Sequence, residues 1–151
     1  MIYILIIVGV MVIDRIVKIS VDTGMTPGET IPVLGEFFHI TYVRNTGAAF
    51  SLLEGHTTLL IVVTGAVICF GIIFVIVKSM TYKKIFLLSV SLMCGGGLGN
   101  LTDRMAYGYV IDMFDFGRFP VFNVADIAVV TGCALLAIYM IVYENRNYDK
   151  K

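Results

Sequence analysis

Charged side chains are scarce in this sequence, and the few that occur favour neither sign. They make up 15% of the 151 residues, while 58% of the residues are hydrophobic; soluble domains contain roughly 25% charged and 45–50% apolar residues. This composition excludes an ordinary soluble domain and predicts an integral membrane protein. Because 11 Lys and Arg offset 11 Asp and Glu, no basic surplus is available for nucleic acid, and no such partner is expected.

Cysteine and histidine are also too few for most sites that are built from them. Cys69, Cys94 and Cys133 lie in apolar runs, where free cysteine behaves as a small hydrophobic residue, and their odd number does not fit a disulfide framework. His39 and His56 are the only histidines, and neither an HExxH zinc motif nor a GxSxG nucleophile elbow occurs. We therefore expect no metal or other cofactor, and by elimination any hydrolytic chemistry is aspartyl.

Hydrophobic runs long enough to cross a bilayer, which takes about 20 apolar residues, occur four times. The first run has no basic region before it and no small-residue cleavage site after it, so we interpret it as a retained span rather than a signal peptide. Long linkers, internal repeats and low-complexity tails are absent from the sequence. We predict a membrane all-α fold in one domain, residues 1–151, with spans near residues 2–21, 57–77, 85–101 and 121–143.

Lysine and arginine positions predict the orientation of these spans. Basic residues gather between the second and third runs and in the C-terminal tail, and connections of this kind face the cytoplasm. With an even number of spans, both termini then lie in the cytoplasm, and the connections at residues 22–56 and 102–120 lie outside. The basic residues behind this prediction are Lys78, Lys83, Lys84, Arg146, Lys150 and Lys151.

The first outer connection is long enough to carry structure of its own. Residues 37–43 are rich in aromatic and β-branched side chains, and Pro27, Gly28 and Gly35 precede them, a pattern that favours a short strand or hairpin. Backbone that is neither helical nor closed into a barrel must avoid the hydrocarbon. We therefore predict a small extracytoplasmic β-cradle on the outer membrane surface.

Two polar pairs in the first half of the chain each allow two interpretations. Asp14 and Lys18 share a helix face, which favours an ion pair that stabilises the fold, although Lys18 is also placed to help bind a substrate. Arg44 and Asn45 precede the small residues of RNTGAAFS. They form either a helix-capping turn or, as we favour, a platform that faces a substrate.

The third run ends in CGGGLGNLTDR, which combines small residues with polar ones. Small residues let membrane helices pack closely, so we assign this role to the glycines. Asn100 is a neutral hydrogen-bonding residue near the outer interface, and Asp103 and Arg104 either pair with each other or contact lipid headgroups. The glycines are Gly95, Gly96, Gly97 and Gly99.

Four aspartates gather between the third and fourth runs, and we rank Asp112 and Asp126 above Asp103 and Asp115. An apolar setting favours a protonated Asp112, whereas the expected first turn of the fourth helix favours an ionised Asp126. Two such carboxyls brought together can share a proton and act as general acid and base. Spacing alone leaves open the alternative that the aspartates are solvated or paired with nearby arginines. Those arginines are Arg104 and Arg118, the second of which suits Asp115.

Five motifs occur in order over essentially the whole chain: DRIVK at 14–18, YVRNTGAAFS at 42–51, GGGLGNLTDR at 95–104, VIDMFDF at 110–116 and FNVAD at 122–126. Together they closely resemble the motifs of bacterial lipoprotein signal peptidases, also called signal peptidase II. The resemblance implies four transmembrane helices, a small extracytoplasmic β-cradle and cytoplasmic termini. It also implies a multi-pass protein of the bacterial inner or plasma membrane, with its active site near the extracytoplasmic face.

The same resemblance implies an aspartic endopeptidase that cuts the signal peptide from diacylglyceryl-modified prolipoproteins, immediately before the lipidated cysteine. Asp112 and Asp126 would form the catalytic dyad, and the partners would be the lipidated precursor and membrane lipid. We expect a monomer without a cofactor. The residues implied to support the site are Asp14, Lys18, Asn45, Asn100, Arg104 and Asn123.

The sequence gives less support to two other classes of function. A small transporter or channel would use intramembrane charges as a pathway, but the chain has neither inverted repeats nor broken helices, and its second and fourth runs are almost entirely apolar inside. A structural membrane subunit would leave the clustered outer aspartates unexplained.

Overall fold

The structure is a computed structural model that describes residues 1–47, 57–78 and 80–144. For residues 143 and 144 it describes the backbone only. Two sequence expectations fall partly outside these residues. The proposed platform continues into residues 48–51, and the basic C-terminal tail begins at Arg146; both lie outside the described chain, as does His56.

Helices dominate the described residues, as the sequence predicts. Three of the helices are long and apolar enough to cross a membrane by length and composition. The first helix has 23 residues but also carries Asp14, Arg15, Lys18 and Asp22. In chain order the helices are α1 (Ile2–Gly24), α2 (Thr57–Lys78), α3 (Lys84–Tyr107) and α4 (Val124–Tyr139), which continues as a π-helix (Met140–Glu144).

Helix α3 contacts each of the other three helices, and its glycines make that central position possible. A Cβ at Gly95 would lie 2.9 Å from the carbonyl oxygen of Ile7 in α1. A Cβ at Gly96 would overlap the carbonyl oxygen of Ala125 in α4. The predicted packing role of the glycines is therefore present, because larger residues would force these backbones apart.

A three-stranded antiparallel sheet packs against one end of the helices. Its strands are β1 (Thr30–Leu34), β2 (Phe38–Asn45) and β3 (Val110–Asp115). The hairpin of β1 and β2 confirms the small sheet predicted from residues 37–43. Pairing of β2 with β3 places Val43 opposite Asp112 and Asn45 opposite Val110. Asn45 and Asp112 are consequently diagonal neighbours on the sheet.

The junctions of β3 bring the sheet to the ends of two helices. Gly108 has φ 79° and ends α3 in the left-handed conformation that favours glycine, so the chain turns directly into β3. On the other side, Asn123 caps the start of α4. The C-terminal end of α3, the sheet and the N-terminal end of α4 therefore meet at one place.

The observed helices differ from the predicted spans mainly around this junction. α3 continues to Tyr107 rather than ending near residue 101, because Asp103 and Arg104 find partners inside the protein and do not break the helix. α4 begins at Val124 rather than near residue 121, because the Asn123 cap sets its start. The connection predicted at residues 102–120 is thus largely ordered as the end of a helix and a strand.

Candidate active site

Asp112 lies on β3 where the sheet meets the helices, and its side chain is buried. Its Oδ2 accepts a hydrogen bond from Asn45 Nδ2 at 2.9 Å, and its Oδ1 accepts one from Asn123 Nδ2 at 2.6 Å. Burial raises the pKa of Asp112 to about 7; the two amides oppose the rise, and the negative charge of Asp126 adds to it. This carboxyl can therefore hold a proton near neutral pH.

Asp126 is half-buried in the first turn of α4, as the sequence predicts. It forms a capping box with Asn123: Asn123 Oδ1 accepts from the Asp126 N–H at 2.9 Å, and Asp126 Oδ2 accepts from the Asn123 N–H at 3.2 Å. Its other oxygen, Oδ1, accepts from Asn100 Nδ2 at 2.8 Å. Asn123 therefore contacts both carboxyls, Asp112 through its side chain and Asp126 through its backbone.

Lys18 is fully buried beside these residues, where it pairs with two carboxylates and donates a hydrogen bond to an amide oxygen. Its Nζ lies 2.8 Å from Asp14 Oδ2, 2.9 Å from Asp103 Oδ2 and 2.8 Å from Asn100 Oδ1. Asp14 Oδ1 in turn accepts the backbone N–H of Ala125 at 2.8 Å. The predicted pair of Asp14 and Lys18 is present, and it ties α1 to α3 and α4. A role of Lys18 toward a substrate stays a prediction.

Asp103 belongs to this ion cluster and not with the two upper-ranked aspartates. Its Oδ1 pairs with Arg15 Nη1 at 3.2 Å, and its Oδ2 accepts from the backbone N–H of Ile111 at 3.3 Å as well as from Lys18. No sequence spacing connects residues 15, 18 and 103. The sequence contains one chemical indication of this cluster. A buried lysine has three donors, and a single aspartate cannot satisfy all of them.

Arg104 does not pair with its neighbour Asp103 but extends toward the two carboxyls. Its Nη2 donates to the Gly47 carbonyl at 2.6 Å, and the charges of Asp112 and Asp126 act on its guanidinium. Its buried Nε has no hydrogen-bond partner within the described residues. Arg104 is thus a fixed positive charge beside the pair.

Asp112 and Asp126 both line a cavity of about 690 Å³. Asn45, Asn100 and Arg104 form its polar side. Ile127 and Val130, which are 47% and 67% exposed on the outer surface of α4, also line it, so the cavity reaches the side of the helix bundle. Its apolar wall includes Val43, Val110, Phe119, Val121 and Phe122.

Arg44 also lines this cavity, and aromatic rings hold it in place. Its guanidinium lies 4.9 Å from the ring centre of Tyr109 and 5.5 Å from that of Tyr42, whose hydroxyl accepts from Arg44 Nε at 3.2 Å. Asn45 Oδ1 accepts from the Gly47 N–H at 2.9 Å. The described part of the Arg44–Asn45 segment therefore ends β2, turns locally through the Asn45–Gly47 hydrogen bond and lines the cavity. Its role as a platform that faces a substrate stays a prediction.

Asp115, on the same strand as Asp112, is held away from the cavity lining. Its Oδ2 accepts from Thr41 Oγ1 and its Oδ1 from the Gly117 N–H, both at 2.7 Å, instead of the expected pairing with Arg118. The Gly117 and Thr41 hydrogen bonds keep the pKa of Asp115 below its usual value. Geometry therefore separates Asp112 and Asp126 from the other two aspartates.

The sequence-predicted residues fall into two connected groups. Asn45, Asn100 and Asn123 donate hydrogen bonds to the carboxyls, and Arg104 interacts with them through its charge. Asp14 and Lys18 reach them through Asn100 and the start of α4. Both carboxyls line one cavity, and the raised pKa of Asp112 lets it hold a proton near neutral pH. Such a pair can act as a general acid and a general base.

Comparison with known proteins identifies the family of this chain. A model of the signal peptidase (SPase) II family matches residues 6–142. The lipoprotein signal peptidase of Halothermothrix orenii is 44% identical over 93% of this chain and 94% of its own length, and that of Moorella thermoacetica is 43% identical over 84% of each. A solved bacterial membrane enzyme is 32% identical, with a TM-score of 0.86, over 99% of this chain and 91% of that one. The chain therefore belongs to the signal peptidase II family.

Proposed function

We propose that this chain is an aspartic endopeptidase that removes the signal peptide from diacylglyceryl-modified prolipoproteins by cutting before the lipidated cysteine. The observation that carries the proposal is the pair Asp112 and Asp126, which share Asn123 and line one cavity. One carboxyl deprotonates water and the other protonates the scissile carbonyl. The names of the relatives, lipoprotein signal peptidases, support the same class of substrate.

The surrounding residues hold and balance this dyad. Asn45, Asn100 and Asn123 donate amide hydrogen bonds to the carboxyls without neutralising them. Arg104 supplies a positive charge that stabilises the negative charge developing on the carbonyl oxygen. Lys18 donates to the amide oxygen of Asn100 and so holds the Asn100 side chain in position. No metal or other cofactor is needed for this chemistry, because the two carboxyls and a water provide the acid, the base and the nucleophile.

Helix α1 is proposed to be a fourth span despite its charges. Asp14 and Lys18 are buried and paired inside the bundle, which is where ionisable residues of membrane helices belong. Its exposed side chains are largely apolar, with Leu5 67%, Ile13 56% and Ile16 58% exposed. With four spans, both termini lie on one side of the membrane.

The site is proposed to lie near the extracytoplasmic face of the bacterial inner or plasma membrane. Lys78 ends α2, Lys83 lies in the connection and Lys84 begins α3, at the opposite end of α3 from the sheet. Basic connections face the cytoplasm, so the sheet and the dyad face outward. The cavity reaches the lipid-facing side of α4, and a signal helix can enter it from within the bilayer while the acyl chains of the precursor stay in lipid.

The substrate assignment is tested by cleavage of one precursor in two forms. We expect the purified, detergent-solubilised protein to cleave the diacylglyceryl-modified precursor and to leave the unmodified precursor largely intact, as judged by mass spectrometry of the products. The precursor with its cysteine replaced by serine, which cannot be lipidated, is the matched control. Equal cleavage of the unmodified precursor would overturn the substrate assignment and leave the aspartyl chemistry untouched.

The proposed orientation is tested by labelling single cysteines in intact cells. In a variant whose three natural cysteines are replaced by alanine, Glu36→Cys in the turn before β2 should react with a membrane-impermeant maleimide. Thr81→Cys, in the turn before α3, should react only after the cells are opened. The reverse pattern would place the site on the cytoplasmic face.

The transporter alternative has no support in the described helices. The only charged residue of α2 is Lys78 at its end, and the only one of α4 is Asp126 in its first turn. A charged pathway through the bilayer would require such groups along the length of the spans.

A further inference from the structure

The asparagine between Lys18 and Asp126 has a fixed orientation. The ammonium of Lys18 can only donate hydrogen bonds, so the atom of Asn100 that lies 2.8 Å from it must be the amide oxygen. The amide nitrogen of Asn100 therefore faces Asp126, 2.8 Å away. Contact with a buried cation polarises the amide and strengthens its donation to the carboxylate.

The other two asparagines are fixed in the same way. The Gly47 N–H donates to Asn45 Oδ1, so the Asn45 amide nitrogen faces Asp112. The Asp126 N–H donates to Asn123 Oδ1, so the Asn123 amide nitrogen also faces Asp112. In each asparagine, a separate donor to the amide oxygen therefore fixes which way the amide points. The carboxyl that accepts from the amide nitrogen does not fix it.

The two carboxyls nevertheless have different surroundings. Asp126 is half-buried at the N-terminus of α4, where backbone N–H groups and the helix dipole favour negative charge. Asp112 is 2% exposed on a strand, where burial disfavours the charged form. Among the described residues no cation contacts the two amides that hold Asp112, whereas the donor to Asp126 is polarised by Lys18.

Other charged groups near the dyad do not reverse this difference. In the cluster beyond Asn100, Lys18 and Arg15 oppose Asp14 and Asp103. The charge of Lys18 lowers the pKa of Asp112, but burial raises it by more. Arg104 from α3 acts on both carboxyls, and Arg44 from β2 is exposed to solvent. The oriented donors and the difference in burial therefore decide where the proton resides.

We propose that this arrangement fixes the division of labour in the dyad: Asp126 is the ionised general base, Asp112 is the protonated general acid, and Lys18 sets the assignment as a positioning residue through Asn100. The inference rests on the proposed aspartyl dyad. It adds an assignment that neither the pairing of the carboxyls nor membership of the family supplies.

With this assignment, every proton that moves in the reaction has a donor and an acceptor. Asp126 takes a proton from water as the water oxygen bonds to the scissile carbonyl carbon, and Asp112 gives its proton to the carbonyl oxygen, which yields a neutral gem-diol. Asp126 then gives its proton to the leaving nitrogen as the carbon–nitrogen bond breaks, and Asp112 recovers a proton from one hydroxyl. One water is consumed, a carboxyl and an amine terminus form, and both aspartates return to their starting states.

Two alanine variants test the assignment through the pH dependence of kcat/KM, which reports groups of the free enzyme. Asn100→Ala removes the polarised donor to Asp126, so the midpoint of the acidic limb should rise by about one pH unit. Asn45→Ala removes a donor to Asp112, so the midpoint of the alkaline limb should rise by a similar amount. Midpoints do not depend on the fraction of folded enzyme when that fraction is constant over the pH range, and circular dichroism of each variant at each pH checks that it is.

The possible outcomes separate the assignment from the proposed function. Shifts of the acidic limb by Asn100→Ala and of the alkaline limb by Asn45→Ala support it. The opposite pattern would reverse the roles of the carboxyls, and a loss of rate with both limbs unmoved would show that the amides have only a structural role. If Asp112→Asn and Asp126→Asn both cleave like the unmodified protein, the dyad itself fails and the assignment fails with it.

Discussion

Two neighbouring regions of this molecule each hold a pair of aspartates, and the carboxyls have opposite kinds of partners in the two regions. In the ion cluster, Lys18 contacts Asp14 and Asp103 directly, and Arg15 adds a second cation. In the dyad, asparagine amides hold the carboxyls. Ammonium and guanidinium groups fix the charge of a carboxylate, whereas neutral amides fix its position and leave its proton free to move.

In the proposed mechanism, this difference gives one membrane protein both a stable core and a reactive site from the same residue type. Asn100 connects the two regions, because its oxygen accepts from Lys18 and its nitrogen donates to Asp126. The ion cluster gives rigidity to the dyad without placing a cation on it. The predictions that follow perturb the cluster, the helix packing behind the dyad and the dyad itself.

The largest loss of stability is expected from Lys18→Met. The substitution leaves Asp14 and Asp103 buried without their shared cation, and breaking a buried pair in this way costs about 3–5 kcal/mol. Thermal unfolding in detergent, followed by circular dichroism, measures the effect. Arg15→Met is the matched control, because the Arg15 side chain is 39% exposed and Asp103 keeps Lys18; a loss below about 1 kcal/mol is expected. Equal losses would mean that Lys18 is not the centre of the cluster.

A smaller but local effect is expected from Gly96→Ala. The added methyl group would overlap the Ala125 carbonyl and approach Val129 to 2.9 Å, which pushes α4 away from α3. We expect a stability loss of about 1–3 kcal/mol and a loss of cleavage, because Asp126 lies in the displaced first turn. Gly9→Ala has open space around its Cβ and should change neither property measurably. Normal cleavage by Gly96→Ala would show that the close contact is not needed to position Asp126.

A change of pH is the smallest of these perturbations. The dependence of stability and cleavage on pH should distinguish the dyad from the ion cluster. The pKa of Asp112 rises from 3.8 to about 7 on burial, so the folded protein binds a proton that the unfolded chain releases. Stability should therefore fall as pH rises from about 4 to 7. Cleavage should fall above about pH 7, by up to tenfold per pH unit, as the acid loses its proton. Asp112→Asn should lack this part of the stability change, and a retained change would assign it to another group.

The sequence predicts the parts of the fold that depend on local pattern. The starts of the first three helices, the hairpin and the Asp14–Lys18 pair follow from hydrophobic runs, strand-forming residues and helical spacing. Asp126 also falls in the first helical turn as expected. Each of these features involves residues close together in the chain.

The remaining features depend on contacts that no local pattern encodes. Asp103 meets Arg15 across 88 positions, and Asn45 meets Asp112 across 67. The extension of α3 to Tyr107 has the same origin, since a polar stretch stays helical when distant residues satisfy its charges. Residue spacing ranked the four aspartates only weakly, and the tertiary partners of Asp103 and Asp115 separate them.

The central claim is that Asp112 and Asp126 form the catalytic dyad. The most direct test measures how fast three purified aspartate-to-asparagine variants cleave a lipidated precursor. Asp112→Asn and Asp126→Asn keep the size of the side chain but cannot exchange the proton, so each should lose about 100-fold or more in kcat/KM. Asp115→Asn, on the same strand but bonded to Thr41 and Gly117, should stay within about twofold of the unmodified protein. Near-normal turnover by either dyad variant, with its fold intact, would contradict the claim.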